Sequence, residues 1–435
     1  MRWSAAMSER PLNIALLAHS TNPRGGVVHA IELGDALQAA GHAVTLHAPD
    51  ASGRGLFRAT ACAFNPVMAT ALAKDADLEA LVRQRIADYV AWFERPETLR
   101  FDIYHAQDSI SANALATLTE RGRIPGFIRT VHHLDQFEQA QLTAWQTRGF
   151  MCAERVLCVS RLWRSALAAD YGVQASVVGN GVDTARFTPH ADESDAALRL
   201  KLGLRTSTDS GAPVFLVVGG IEPRKNTLAI LQGFIRILRV FPMAQLIVAG
   251  GASLLDHGDY QREFLARLQQ SGIETGAGKS LVFIDRVEDA HMPALFRCAD
   301  ALVFASLREG FGLVVLEAMA CGTPVVVSRI APFTEYLKGG DCAWVDPLEP
   351  ASIAAGMAHA CGIGARHTLR SAGFAAAARH TWAQSAQQHL TVYDEYLAST
   401  SHSFAGVDAL SQPPSHRMPS PSPSPHHFQS EKSHA

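Results

Sequence analysis

Two α/β domains, each built on a parallel sheet and facing the other across a central cleft, are what this sequence of 435 residues predicts. Three observations carry the prediction. Short apolar runs recur along the chain, each closing on glycine or polar residues. Helical patterns separate them, the alternation expected of strand–helix–strand units with buried parallel strands. A polar stretch, residues 188–212 ending "TSTDSGA", divides the runs into two blocks.

The first block opens with "LNIALLAH", read as a buried strand. Next comes "GGVVHAIELGDALQAAG", a glycine turn entering a helix whose Val28, Ile31, Leu33 and Leu37 recur at roughly helical spacing. "HAVTLHAP" follows as a strand, and a long helix is expected over Asp77–Arg95. "FDIYHAQ", "GFIRTVHHL", "RVLCVS" and "ASVVGNGVD" supply further strands. The second block restarts with "PVFLVVGG", "AQLIVAGG", "SLVFIDRV", "ALVFAS", "TPVVVSR" and "CAWVDP". Helices are expected between them over Asn226–Phe241, Tyr260–Ser271, Met292–Ala299, Gly312–Cys321 and Ala351–Cys361. The reading divides the chain into a flexible N-terminus (1–11), a first domain (12–190), a linker region (191–212) and a second domain (213–380). A helical segment (381–400) and a Pro/Ser/His-rich tail (401–435), read as disordered, complete it. Ligands of such domains bind at the carboxyl ends of the strands, so the cleft is the expected site.

Composition narrows the function. The net charge of −3 argues against a nucleic-acid partner, which calls for a basic surplus. Seven cysteines are scattered singly with no Cys-x-x-Cys pair, which fits a reducing, cytoplasmic setting better than a disulfide framework or a zinc site. No apolar run reaches the roughly 20 residues of a membrane span, and the N-terminus lacks the long apolar region of a signal peptide. Peripheral membrane contact stays open.

Chemistry-bearing residues cluster after the strands. In "GGIEPRKNTLAIL", Arg224 and Lys225 sit on a loop past a strand end, where they could neutralise a diphosphate. The ordinary reading is a solvated basic turn. "REGFGLVVLEAMACGTPVVVS" carries Glu309 and Glu317 eight positions apart. Gly310 and Gly312 would let backbone N–H groups approach an anion at a helix start. Glu317, inside that helix among apolar neighbours, could accept from a ribose diol; the alternative is a partly exposed helix acid. Gly25 and Gly26 form a glycine loop that lacks the G-x-G-x-x-G spacing of a nicotinamide-binding fold. His132 and His133 end "TVHH", where His132 could bond a substrate hydroxyl. Neither "HHLD" nor the Asp75-x-Asp77 pair makes a convincing metal site, and Asp77 reads as a helix-start acid. No metal and no cofactor are expected.

In this order the motifs resemble the retaining glycosyltransferases of family 4. The carriers are Glu-x7-Glu in "EGFGLVVLEAMACGTPVV", "RCADALVFAS" before it, "PRKN", "GNGVD", the Gly25–Gly26 pair and the late "HTWAQSAQQHLTVYDEYL", together covering about residues 12–397. The resemblance implies the GT-B architecture: two Rossmann-like domains with a C-terminal helix crossing back to the first. The first domain would take a hydroxyl acceptor (a glycan, lipid or small metabolite) and the second a nucleoside-diphosphate sugar. It also implies roles. Glu317 would hold the ribose and Glu309 the donor sugar's hydroxyls. Arg224 and Lys225 would bind the diphosphate, with Gly25 and Gly26 beside it and His132 beside the transferred sugar. Gly310, Phe311, Gly312 and Leu313 would complete the donor site. One departure is "RIAPFTEYL", where Pro332 and Phe333 replace the glycines that often precede the family's glutamate. A phosphorylase or epimerase of the same fold, and a non-catalytic sugar-nucleotide binder, are the rival readings.

Overall fold

The computed structural model describes residues 10–410 apart from 74, 99–100, 206–210, 251–256 and 286. The first domain runs β1 (Asn13–Leu17), α1 (Gly25–Ala39), β2 (Ala43–Asp50), β3 (Ala63–Met68), α2 (Leu78–Phe93), β4 (Ile103–Ala106), α3 (Ser109–Glu120), β5 (Ile128–Val131), α4 (Ala140–Met151), β6 (Arg155–Cys158), α5 (Arg161–Tyr171) and β7 (Ala175–Val177). The second runs α6 (Glu193–Leu202), β8 (Val214–Val218), α7 (Thr227–Ile237), β9 (Gln245–Ala249), α8 (Gly258–Ser271), β10 (Leu281–Ile284) and α9 (Met292–Cys298). It continues with β11 (Ala301–Phe304), α10 (Leu313–Ala320), β12 (Val325–Ser328), α11 (Phe333–Tyr336), β13 (Ala343–Val345), α12 (Pro350–Cys361) and α13 (Ile363–Ala378), and α14 (Trp382–Leu410) closes the described chain.

The strands form two parallel sheets, ordered β3-β2-β1-β4-β5-β6-β7 and β10-β9-β8-β11-β12-β13. In each, the order reverses beside the first strand: between β1 and β4, and between β8 and β11. The loops leaving those strands diverge to opposite faces and open a crevice at the carboxyl ends. The strand interiors are apolar on both faces, as helices on each side require.

Several expectations need correction. The presumed linker contains α6. Asp192 caps it by accepting from Ser194 N at 2.8 Å, and Arg297 of α9 grips Asp192 and Asp195 at 2.8 and 2.6 Å. Its single buried helical residue, Leu202, gives too little periodicity to read. The helix expected from Asn226 starts at Thr227, because Pro223–Lys225 form a tight 3-10 turn and Asn226 is left-handed at φ 58°. The final helix does not stop at 400 but runs to Leu410, since no proline interrupts it before Pro413; residues 411–435 lie outside the described residues. Edge strand β3, with Pro66 in it, and helices α3, α4, α5 and α13 went unread.

Two contacts help to fix the domains against each other. The first is α14, which returns to the first domain and buries Trp382, Ala386, Leu390, Tyr393 and Tyr396 with Leu16, Val27 and Ile31. Ser385 Oγ donates to Gly179 O at 2.6 Å, and Gly179 N donates to Gln388 Oε1 at 2.6 Å. The second is Glu335 of α11. Its carboxylate accepts from Arg161 N at 2.6 Å and Leu162 N at 2.8 Å, satisfying first-turn donors of α5 across the domain boundary.

Gly181 lets the chain pass under the start of α14: a Cβ there would lie 2.2 Å from Trp382 N. Gly181→Ala is therefore expected to lower unfolding free energy by about 1–3 kcal/mol, the scale of overpacking. A urea midpoint equal to the parent's would show that the segment shifts freely.

Candidate functional site

The loops after β8 and β11 meet because those strands are neighbours in the sheet. Lys225 Nζ donates to Glu309 Oε1 at 2.8 Å, and Arg224 Nη1 lies 2.8 Å from Glu309 Oε2. Arg224 also lies 3.6 Å from Glu222. Lys225 is threaded across Gly219, where a Cβ would sit 2.5 Å from Lys225 Cε, and its ammonium lies 4.5 Å from the Phe304 ring centre. Asn226 anchors the turn by donating Nδ2 to Ala305 O at 3.0 Å and Pro347 O at 2.6 Å. Burial pushes the Glu309 carboxyl up, but Lys225 and Arg224 outweigh it and hold it below the usual range. Burial lowers Lys225, with Glu309 opposing and Arg224 adding to the shift. Arg224, Lys225 and Glu309 together carry one net positive charge, which Glu222, 3.6 Å from Arg224, offsets.

The loop after Glu309 docks on the first domain. At Gly310 a Cβ would meet His132 O at 2.3 Å, so a side chain is excluded there. Trp163 Nε1 donates to Glu309 O at 3.2 Å. Gly312 is left-handed at φ 89° and a Cβ would lie 2.7 Å from Phe333. Both glycines thus allow close packing. Phe311 stacks on Tyr336 at 4.4 Å, and Leu313 packs against the apolar clusters of both domains. Phe333, one half of the departure noted above, is a fully buried support under this loop.

On the facing side, Gly26 opens α1 beside His132: a Cβ would lie 3.5 Å from His132 Cδ2. Gly25 has open space around the same position. His132 Nε2 lies 3.1 Å from Gln107 Oε1. Burial, then His29 and Arg129, hold His132 well below its ordinary pKa, so the ring is neutral. His133 pairs with Asp135 at 3.2 Å. Asp77 caps α2 by accepting from Ala80 N at 2.7 Å. Among the described residues no group of three or more His, Cys, Asp or Glu side chains is arranged to hold a metal ion.

Glu317 stands apart from Glu309, inside α10 and near a second charged cluster that the sequence did not disclose. Arg58 lies 2.5 Å from Glu32 of α1 and 3.7 Å from Asp289, while Arg186 pairs with Asp289 at 2.7 Å. These contacts join residues up to 231 positions apart, so no local pattern could reveal them. Burial pushes the Glu317 carboxyl up to about 7; Arg186 and Arg58 oppose the shift, and Glu32 and Asp289 add to it.

Comparison with known proteins now decides the family. Residues 23–186 match the profile described as Glycosyltransferase Family 4, and residues 205–363 that of Glycosyl transferases group 1. The chain belongs to glycosyltransferase family 4. This glycosyltransferase is 28% identical to the D-inositol 3-phosphate glycosyltransferase of Acidothermus cellulolyticus over 327 residues, 70% of each chain. It is 28% identical to the phosphatidyl-myo-inositol mannosyltransferase of Mycobacterium tuberculosis over 312 residues, 69% of this chain and 75% of the relative. In architecture it is a GT-B enzyme. Sucrose-phosphate synthase from Thermosynechococcus elongatus superposes with a TM-score of 0.69 at 20% identity, covering 89% of this chain and 99% of the other. Anabaena HepE, solved with UDP and glucose, gives 0.68 at 18%, covering 88% and 99%.

Glu317 generates a pH prediction. Its pKa is raised from 4.5 to about 7, so its ionisation costs the fold nothing below pH 4.5 and the full penalty above about 7. Its contribution to stability therefore falls as pH rises through that window. Glu317→Gln should stabilise the protein at pH 8 by about 1–2 kcal/mol, allowing for solvent in the cleft, and should give no gain at pH 4.5. Equal effects at both pH values would remove the burial argument.

Proposed function

We propose that this glycosyltransferase moves a sugar from a nucleoside-diphosphate donor to a hydroxyl acceptor with retention of anomeric configuration. The observation that carries the reading is the Arg224–Glu309–Lys225 cluster at the crevice between β8 and β11, opposite the Gly26–His132 loop pair. As the anomeric C–O bond breaks, negative charge grows on the diphosphate and positive charge on the sugar ring. The fixed cations meet the first, and preorganised charge of this kind is usually the largest catalytic contribution. The acceptor oxygen forms its bond on the face the phosphate leaves, and the departing phosphate oxygen takes the acceptor's proton. Glu309 keeps both cations in place, and neutral His132 lies beside the transferred sugar. Glu317 accepts from the ribose. Arg224 and Lys225 supply the charge that a divalent ion would otherwise bring, so the reaction proceeds without metal.

The relatives' names, and the HepE structure with UDP and glucose, support a nucleotide-sugar donor. A starch synthase bound to ADP also shares the fold, so a panel of UDP-, GDP- and ADP-sugars, assayed for slow hydrolysis, is the experiment that identifies the nucleotide. Absence of turnover with every donor would favour the non-catalytic reading. No helix among the described residues is long and apolar enough to cross a membrane. Five of the seven free cysteines are buried, which supports our placing the enzyme in the cytoplasm.

Lys225→Ala should lower kcat by about 10- to 1000-fold while donor affinity falls less, because the diphosphate gains charge in the transition state. A kcat within twofold of the parent's, in a variant with native circular dichroism, would sink the leaving-group role. Enzyme exhaustively treated with EDTA should retain most of its turnover. Abolition by chelation, with rescue by Mg2+ or Mn2+, would overturn the metal-free mechanism.

A further inference from the structure

We propose that the C-terminal helix α14 sets the orientation of the His132 ring through a buried polar network, which makes Tyr393, His105, Gln107 and His29 positioning residues. The proposal rests on the transfer reading above, which puts His132 beside the transferred sugar.

The sheet register builds the first route. His105 of β4 stands opposite Ile128 of β5. The strand period of two then carries Gln107, Thr130 and His132 onto the same face. On that face the Tyr393 hydroxyl of α14 lies 2.7 Å from His105 Nδ1. The Thr130 hydroxyl lies 2.7 Å from His105 Nε2, so the imidazole is held at both nitrogens. Gln107 Nε2 lies 3.4 and 3.3 Å from the same two nitrogens, and its Oε1 lies 3.1 Å from His132 Nε2. One amide thus stands between the two imidazoles.

A second route passes through α1. The His29 ring packs edge-on against His132, with centres 4.6 Å apart and planes at 70°. His29 Nδ1 lies 3.1 Å from Asn180 Oδ1. Trp382 and His389 of α14 pack on the His29 ring at 5.4 and 5.8 Å. Asn180 follows Gly179, which Ser385 and Gln388 of α14 clasp. Both routes therefore start on α14 and end on the His132 ring.

Helix docking alone calls only for apolar contacts. Tyr393, His105, His29 and His389 are fully buried, and Nε2 of both His29 and His389 has no hydrogen-bond partner. Polar groups in such a place cost stability, so packing does not account for them. Burial holds His29 at about 3 and His389 at about 4, and keeps His105 well below its ordinary value, so these rings are neutral. A hydrogen-bonded buried network is rigid and selects one arrangement, where an apolar face accepts several. None of the four positioning residues belongs to the donor cluster around Glu309. Loosening them should therefore slow transfer and leave donor binding alone.

Tyr393→Phe removes one oxygen at the far end of the first route, and His29→Phe keeps a ring in the second. In variants with native circular dichroism, each should lower kcat by about 3- to 30-fold, the span of changes that act through a coupled network. Donor KM should stay within twofold of the parent's. In the His132→Ala background the same substitutions should lower kcat no further. An unchanged kcat in the parent background, or the same factor in both backgrounds, overturns the proposal. Nitrogen NMR of the imidazoles gives a readout that needs no turnover, with His132 identified by the signals missing in His132→Ala. Tyr393→Phe should shift the His132 signals and leave those of exposed His133 in place. Unmoved His132 signals overturn the proposal whatever the activity. Moved signals in a protein that turns over no donor support the network and sink the transfer reading alone.

Discussion

The carboxylate of Glu309 holds the candidate site together. Glu309 and Lys225 meet where little water reaches, while Arg224 is 39% exposed; removing one partner of the buried pair leaves an uncompensated charge that costs about 3–5 kcal/mol. Glu309 answers two cations at once, one per oxygen, each at 2.8 Å. The geometry around it follows. Gly219 must lack a side chain so that Lys225 can cross it, Phe304 presents its face to the ammonium, and Asn226 accepts a left-handed backbone to turn the chain into α7. The loop carrying Glu309 is tied in turn to the first domain through Trp163.

That tie makes the site a property of both domains. Each sheet has its crevice where the strand order reverses, and each supplies half of the lining. Gly310 rests on the His132 carbonyl, so the loop beside Glu309 is positioned by the end of β5 in the other domain. Glu335 reaches across to α5, and α14 returns to cover α1. A change of domain angle would therefore move Glu309 relative to Gly26 and His132. Some of the contacts that set the angle are at the proposed site itself, Gly310 on His132 and Trp163 on Glu309, and others, Glu335 and α14, join the domains through other residues.

The alternation of strands and helices was legible because parallel strands buried on both faces read as continuous apolar runs, and each run proposed from the sequence became a strand. Elements without that signature escaped notice. β3 carries Pro66 on an edge, and α6 buries one helical residue. At the site, Arg224, Lys225 and Glu309 were visible as residue types at strand ends. Their mutual pairing was not, because it spans 84 positions and depends on β8 lying beside β11. Gly310 and Gly312 were visible too, but not the close packing they permit: sequence shows a missing side chain, not what stands in its place. Arg58 and Asp289 gave no signal at all, since an isolated charge in a loop has no local pattern.

Why two acids stand eight positions apart can be argued from their surroundings. Glu309 is held ionised by two cations and has no lone partner left to seek. Glu317 is half-buried with its nearest cations already engaged, Arg58 by Glu32 and Arg186 by Asp289, and desolvation pushes its carboxyl up to about 7. One acid is satisfied by the protein and the other is not. In the proposed donor complex the first builds the charge that meets the diphosphate. The second offers acceptor oxygens to a diol whose hydroxyls bring no charge of their own. Glu309 lies in the loop before α10 and Glu317 inside it, with Leu316, Ala318 and Met319 locked in the core. Packing of α10 thus holds the Glu317 carboxyl in place, and in the proposed complex a diol that donates to it supplies hydrogen bonds that offset its desolvation.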